Sequence, residues 1–174
     1  MEVNNSTISN LGQLLIYDIS ECINAENQLK AVLPDWINKA NSSKLKAVLE
    51  KYLEFVQQHV QKMEAMLKEE EITPLNVGSR VMDAYIKEVE QTMFTCQDMD
   101  VRDAALLAGV QAINHFKISI YGTAAAFAKI MNMGMGTDVF YSIDINEKHI
   151  DDRLSQLAEH DINIKAKDPN IYLK

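Results

Sequence analysis

The chain has 174 residues, 47% of them hydrophobic, enough for one globular domain whose core needs no staples. Six Gly and three Pro leave few turns for an all-β fold, so the abundant Leu, Ala, Lys, Glu, Gln and Met favour an all-α domain. A formal net charge of −8 without any basic cluster argues against nucleic acid and acidic membrane surfaces as partners.

In chain order, Ser6 or Thr7 can cap a first helix. Leu15, Ile19, Cys22, Glu26, Leu29 and Leu33 then recur as a bundle seam, with Glu26 in the middle of it. A carboxylate in an apolar stripe is costly unless paired or bound to a cation, so Glu26 is the informative residue of this segment. The competing reading puts it at the stripe edge, reaching water or a lysine. Pro34 kinks or ends the helix, and Trp36 and Ile37 continue its apolar face.

The segment 38–43 is the first connection, and Ser42 or Ser43 caps a second helix running to about Glu71. Its stripe is Leu45, Val48, Leu49, Tyr52, Val56, His59, Val60, Met63 and Leu67, with Phe55 at the flank and Glu54 on the solvated side. A lone His in such a stripe is more often packed and hydrogen-bonded than a ligand. Thr73-Pro74 breaks the chain. A third, shorter helix over 77–94 carries Met82, Tyr85, Ile86, Val89 and Met93, with Asp83 one step off the stripe.

Asp98 or Asp100 caps the longest helix, 101–131, which is apolar on nearly every face and is therefore expected at the centre of the bundle. Asp103, Gln111, Asn114, Lys117 and Tyr121 share one strip of it, and periodicity alone reads that strip as its wet side. Gln111, Asn114, His115 and Lys117 break the segment as a membrane span. A loop at 132–137 uses two glycines as turn formers. A last helix, roughly 139–159, presents Ile143, Ile150, Leu154 and Leu157 and carries Glu147. The tail 161–174 is mixed, ends in IYLK, and is a candidate to pack on a neighbour. The whole chain reads as one domain, its core about 6–160. The polar N-terminus lacks a secretory pattern, and Cys22 and Cys96 suit a reducing compartment, so a cytoplasmic location is expected.

No nucleophile triad, phosphate loop or paired zinc motif is present. What remains is a set of polar residues that helix seams could bring together: Glu26, His59, Asp83, Asn114, Lys117, and also His115 and Glu147. Bundle cores lined by carboxylates and imidazoles from facing helices are the arrangement of di-iron and di-manganese proteins. AENQLKAVLP (25–34), LKAVLEKYLE (45–54), VRDAALLAGVQ (101–111) with its continuation to YGT (121–123), and EKHIDDRLSQLAE (147–159) together resemble the YciE/YciF family of ferritin-like proteins. The resemblance implies a ferritin-like antiparallel four-helix bundle with an additional C-terminal helix, a homodimer, and a stress-associated bacterial setting.

Position by position, Glu26 and His115 match the family's Glu and His, and Glu147 is retained. Asp83 shortens a Glu, Phe55 replaces a carboxylate, and Tyr52 replaces a frequent His. Asn114 and Lys117 stand where the central motif usually carries two acidic residues. The acidic lining is mostly gone, and Lys117 is expected to replace the metal charge by neutralising Glu26 and Asp83. Two functions follow: a non-catalytic structural or stress protein with a degenerate di-metal site and no cofactor, or a divergent protein binding iron or manganese through Glu26, His59, Asp83 and His115. No small-molecule substrate is indicated.

Overall fold

The computed structural model describes residues 7–167, and every regular element among them is a helix. Ser6 and the closing IYLK lie outside the described residues, while Thr7, the other expected cap, is not one: the first helix is capped by Asn10. Helix α1 spans Leu11–Lys39, α2 Ser43–Glu69, α3 Arg80–Thr95, α4 Met99–Ile130 and α5 Gly134–Leu157. A five-residue π turn, Ala158–Ile162, and the four-residue α6, Asn163–Ala166, continue the chain beyond α5.

Polar side chains set the starts. Asn10 accepts from the Gln13 N–H at 2.9 Å, Ser42 caps α2, Ser79 caps α3, and Asp98 Oδ1 accepts from the Asp100 and Val101 N–H groups at 2.8 and 3.0 Å. Pro34 does not end α1, which runs on to Lys39 with the proline on its exposed side. The glycines expected to form the turn after α4 lie inside α5 instead. The turn residue is Asn132 at φ 57°, a conformation that asparagine tolerates.

The helices α1, α2, α5 and α4 close a ring in which α1 touches α2, α2 touches α5, α5 touches α4 and α4 touches α1. This is the four-helix bundle, made of two hairpins with short connections. The helix outside the ring is α3, which packs on α4 and α1; at the C-terminal end the π turn and α6 lie against α4. A buried Asp103 ties the hairpins together, its carboxylate accepting from the Asn41 and Ser42 backbone N–H groups at 2.8 and 2.6 Å.

The crossing of α3 on α4 depends on a missing side chain. A Cβ added at Gly109 would stand 2.3 Å from Val89 Cγ2, with Val89 Cβ and Cγ1 both at 3.3 Å. Rotating a β-branched valine cannot clear all three atoms. Gly109→Ala gains about 1 kcal/mol of helix propensity, but overpacking costs about 1–3 kcal/mol. A net lowering of the thermal midpoint is expected, restored by Val89→Ala in the same chain.

The apolar core falls into two clusters. One gathers Leu29, Leu33, Trp36, Leu49, Tyr52, Val110, Ile113, Leu154 and the inner face of α3. The other gathers Leu15, Ile19, Cys22, Met63, Tyr121, Phe140 and Ile143. Between them, at one level of the bundle, each ring helix places polar residues.

Candidate functional site: a buried ion cluster

Glu26 on α1, His59 on α2, Asn114 and Lys117 on α4, and Glu147 on α5 all have 0% exposure. Each belongs to its helix's core stripe: Glu26 lies between Cys22 and Leu29, His59 between Val56 and Met63, and Glu147 between Ile143 and Ile150. The apolar neighbours drive those faces inward, and the polar residues are carried in with them.

Lys117 Nζ lies 3.0 Å from Glu26 Oε2 and 2.7 Å from Glu147 Oε1, and 4.7 Å from the centre of the Tyr52 ring. These are ion-pair contacts without directed hydrogen bonds: none of Nζ, Glu26 Oε2 or Glu147 Oε1 has a partner at acceptable hydrogen-bond geometry. The remaining carboxylate oxygens are well served. Glu26 Oε1 accepts from the Tyr121 hydroxyl at 2.6 Å, and Glu147 Oε2 accepts from the Tyr52 hydroxyl at 3.0 Å and from Asn114 Nδ2 at 2.7 Å. His59 Nδ1 sits 3.2 Å from Glu26 Oε1 and 3.4 Å from Glu147 Oε1, with Nε2 at 3.3 Å from Asn146 Nδ2.

Burial alone would pull the Lys117 ammonium down, but the charges of Glu147 and Glu26 outweigh it and hold the amine above its ordinary value. For Glu26, burial pushes the carboxyl up; Lys117 and the His59 hydrogen bond oppose it and leave it below the usual range. For Glu147, burial and the nearby Glu26 charge win over Lys117, and the carboxyl stays above its ordinary value. Burial also pushes the Tyr52 and Tyr121 phenols up, so both remain neutral donors.

Residues 10–167 match the family described as a domain of unknown function, DUF892. The chain belongs to that family. It is similar to protein YciF of Escherichia coli strain K12, at 26% identity over 155 residues, covering 88% of this chain and 93% of that protein. A solved structure of YcfI from Rhodopseudomonas palustris, described as a candidate structural protein, superposes with a TM-score of 0.83. Its identity is 27%, over 87% of this chain and 96% of that one. The crystal structure of the E. coli stress protein YciF gives a TM-score of 0.86 at 24% identity, over 90% and 99% of the two chains, a likeness of fold.

In this DUF892 chain Glu26, His59, Asn114, Lys117 and Glu147 come together, whereas Asp83 and His115 do not join them. Asp83 lies on α3, outside the ring, its exposed carboxylate paired with Lys87 at 2.5 Å. The second carboxylate at Lys117 is therefore Glu147. His115, one residue past Asn114, is turned about 100° away by the helix. Its side chain is 64% exposed and meets Asp151 at 2.8 Å.

The polar strip of α4 also reverses its expected side: Asp103, Asn114, Lys117 and Tyr121 are all buried, while the exposed face is largely small, with Ala108, Ala112, Ser119 and Ala126. Tyr121, read as part of the wet strip of α4, and Tyr52, read as standing in place of a frequent His, supply the hydroxyl donors. The i, i+3, i+4 run of Asn114, Lys117 and Tyr121 on one face was the signal for the second of them.

The cluster fits a di-metal centre poorly. Glu26, His59 and Glu147 offer ligand atoms all within 4.8 Å of one another, but the Lys117 ammonium already lies against two of the same oxygens. A divalent ion placed there would face a buried positive charge. A groove of about 170 Å³ between α1 and α4, lined by Asp18, Glu21, Cys22, Phe116 and Ser119 among others, contains none of the five cluster residues. It is smaller than the roughly 300–1,000 Å³ of ordinary ligand sites. Among the described residues, no helix is long and apolar enough to cross a membrane.

Proposed function

We propose that this DUF892 chain is a non-catalytic, structural or stress-associated bundle in which the Lys117 ammonium stands where a ferritin-like protein would hold its metal charge. The observation that carries the reading is the fully buried Nζ within ion-pair distance of both Glu26 and Glu147. A built-in cation balances two carboxylates without any dissociable ion, so the fold does not depend on metal supply. Relatives described as a stress protein and a candidate structural protein support a role of this kind. Assembly as a homodimer in the cytoplasm belongs to the same proposal. Sedimentation or size-exclusion with light scattering tests the dimer.

The competing reading is a metal-binding protein with a redox or sequestration role. It draws on the Glu26, His59 and Glu147 group, which alone would suit iron or manganese. Elemental analysis of protein purified without a nickel column separates the two. An empty protein whose melting temperature is unmoved by chelator or by added Mn²⁺ supports the first reading. Near-stoichiometric iron, manganese or zinc overturns it.

A further inference from the structure

We propose that Lys117 and Glu147 become joined by an intramolecular isopeptide bond, formed in the folded core between Nζ and Cδ, with Glu26 as the base. The inference rests on the reading above, since it needs an amine and no metal between the carboxylates.

The amine already lies against the carboxyl group it would attack. Lys117 Nζ is 2.7 Å from Glu147 Oε1, one C–O bond from the carbon to be attacked, and both side chains have 0% exposure. Holding a nucleophile against an acyl carbon in a water-excluded site is the arrangement that makes a sluggish condensation feasible. The surrounding groups divide the work. Glu26 Oε2, 3.0 Å from Nζ, takes the first ammonium proton and frees the lone pair. As Nζ attacks Cδ, negative charge gathers on Glu147 Oε2, which the Tyr52 hydroxyl at 3.0 Å and Asn114 Nδ2 at 2.7 Å already face as donors. His59 Nδ1 bridges Glu26 Oε1 and Glu147 Oε1 at 3.2 and 3.4 Å, placed to pass a proton to the departing oxygen.

The step balances without a co-reactant. The Nζ–Cδ bond forms and the Cδ–Oε1 bond breaks. The ammonium gives up two protons, the carboxylate gives up one oxygen, and they leave as water with nothing oxidised or reduced.

The hydrogen-bond geometry of the same contacts points the same way. The buried polar atoms without a well-formed hydrogen bond include Lys117 Nζ, Glu147 Oε1 and Glu26 Oε2. Condensation resolves all three. It removes Oε1, converts Nζ to an amide nitrogen, and turns its N–H toward Glu26 Oε2. Oε2 of Glu147 stays as an amide oxygen between its two donors. The ammonium is held charged and Glu26 is held ionised by the same contacts, so the proton transfer is uphill and the link is expected only on prolonged incubation of the folded chain. The product ties α4 to α5 covalently, a gain suited to a structural protein.

The intact mass of the folded full-length chain, after prolonged incubation, is expected to be lighter than its sequence by one water. Trypsin should then release the segment 103–129, uncut at Lys117, joined to 130–148. Glu26→Gln and Glu147→Met, the second lacking any acyl carbon, are both expected to lose the linked species completely. The full sequence mass in the wild-type chain with 103–117, 118–129 and 130–148 released separately overturns the proposal, as does a link mapped elsewhere or one that persists in Glu26→Gln. Metal content measured on the same sample distinguishes failure of the link from failure of the metal-free reading.

Discussion

Against the unlinked wild-type chain, in which the ammonium still lies between the two carboxylates, replacing Lys117 by Met should destabilise the protein by about 3–5 kcal/mol, because it leaves Glu26 and Glu147 buried with no cation between them. For a chain of this length that is a drop of roughly 2–4 °C per kcal/mol in the melting midpoint. The pH dependence identifies the cause. In the native cluster Glu26 is held below its ordinary value, so its contribution is present above the usual carboxylate range and lost as pH falls through the lowered value. Glu147 is held above, so its contribution is full below the ordinary value and lost as pH rises through the raised one.

Without Lys117 both carboxyls lose their main downward influence, and both should take the sign of Glu147. Lys117→Met, melted in chelator, is therefore expected to gain stability steadily as pH is lowered from neutral toward 5. A cavity alone would give a deficit independent of pH, so a flat profile would show that the amine serves only as filler. Adding Glu26→Gln to the variant should recover part of the loss, since one buried charge repels nothing.

Lys117→Glu is expected to convert the cluster into a metal site. Glu26, His59 and Glu147 already lie within ligand distance of one another, and a third carboxylate in the position of the amine reverses the local charge. Three buried carboxylates with one imidazole suit Mn²⁺, Fe²⁺ or Zn²⁺ and are unstable without a cation. At a free ion concentration of 100 times the dissociation constant, binding to the folded state alone stabilises by about 2.7 kcal/mol. The variant should melt low in chelator, rise by several degrees with Mn²⁺ or Zn²⁺, and hold the ion through gel filtration, while the wild-type chain responds to neither. Lack of any metal response would mean that the four helices cannot adjust their side chains around an ion, and that Lys117 is not standing in a metal's place.

Helix count, the caps at Ser42 and Asp98, and the core stripes follow from local patterning, because burial of one helical face leaves a period in the chain that short-range physics preserves. Glu26 was legible for the same reason: a carboxylate interrupting a clean stripe has to find a cation. Its partner could be narrowed but not fixed. Asp83 and Glu147 both lay near apolar stripes, and only the packing of α3 outside the ring removed the first and kept the second. Phase within α4 was harder still. Its exposed face is made of small residues and its buried face carries Asp103, Asn114, Lys117 and Tyr121, so hydrophobicity pointed to the wrong side.

By itself, then, the amino-acid order determined an all-helical chain with one uncompensated acidic residue in its first seam, since capping and periodicity act within a few turns. Which amine and which second carboxylate meet that residue was decided by the tertiary structure. Those contacts join positions 91 and 121 residues apart from Glu26 in the chain, and only the closing of the four-helix ring sets the rotation and height at which they face each other.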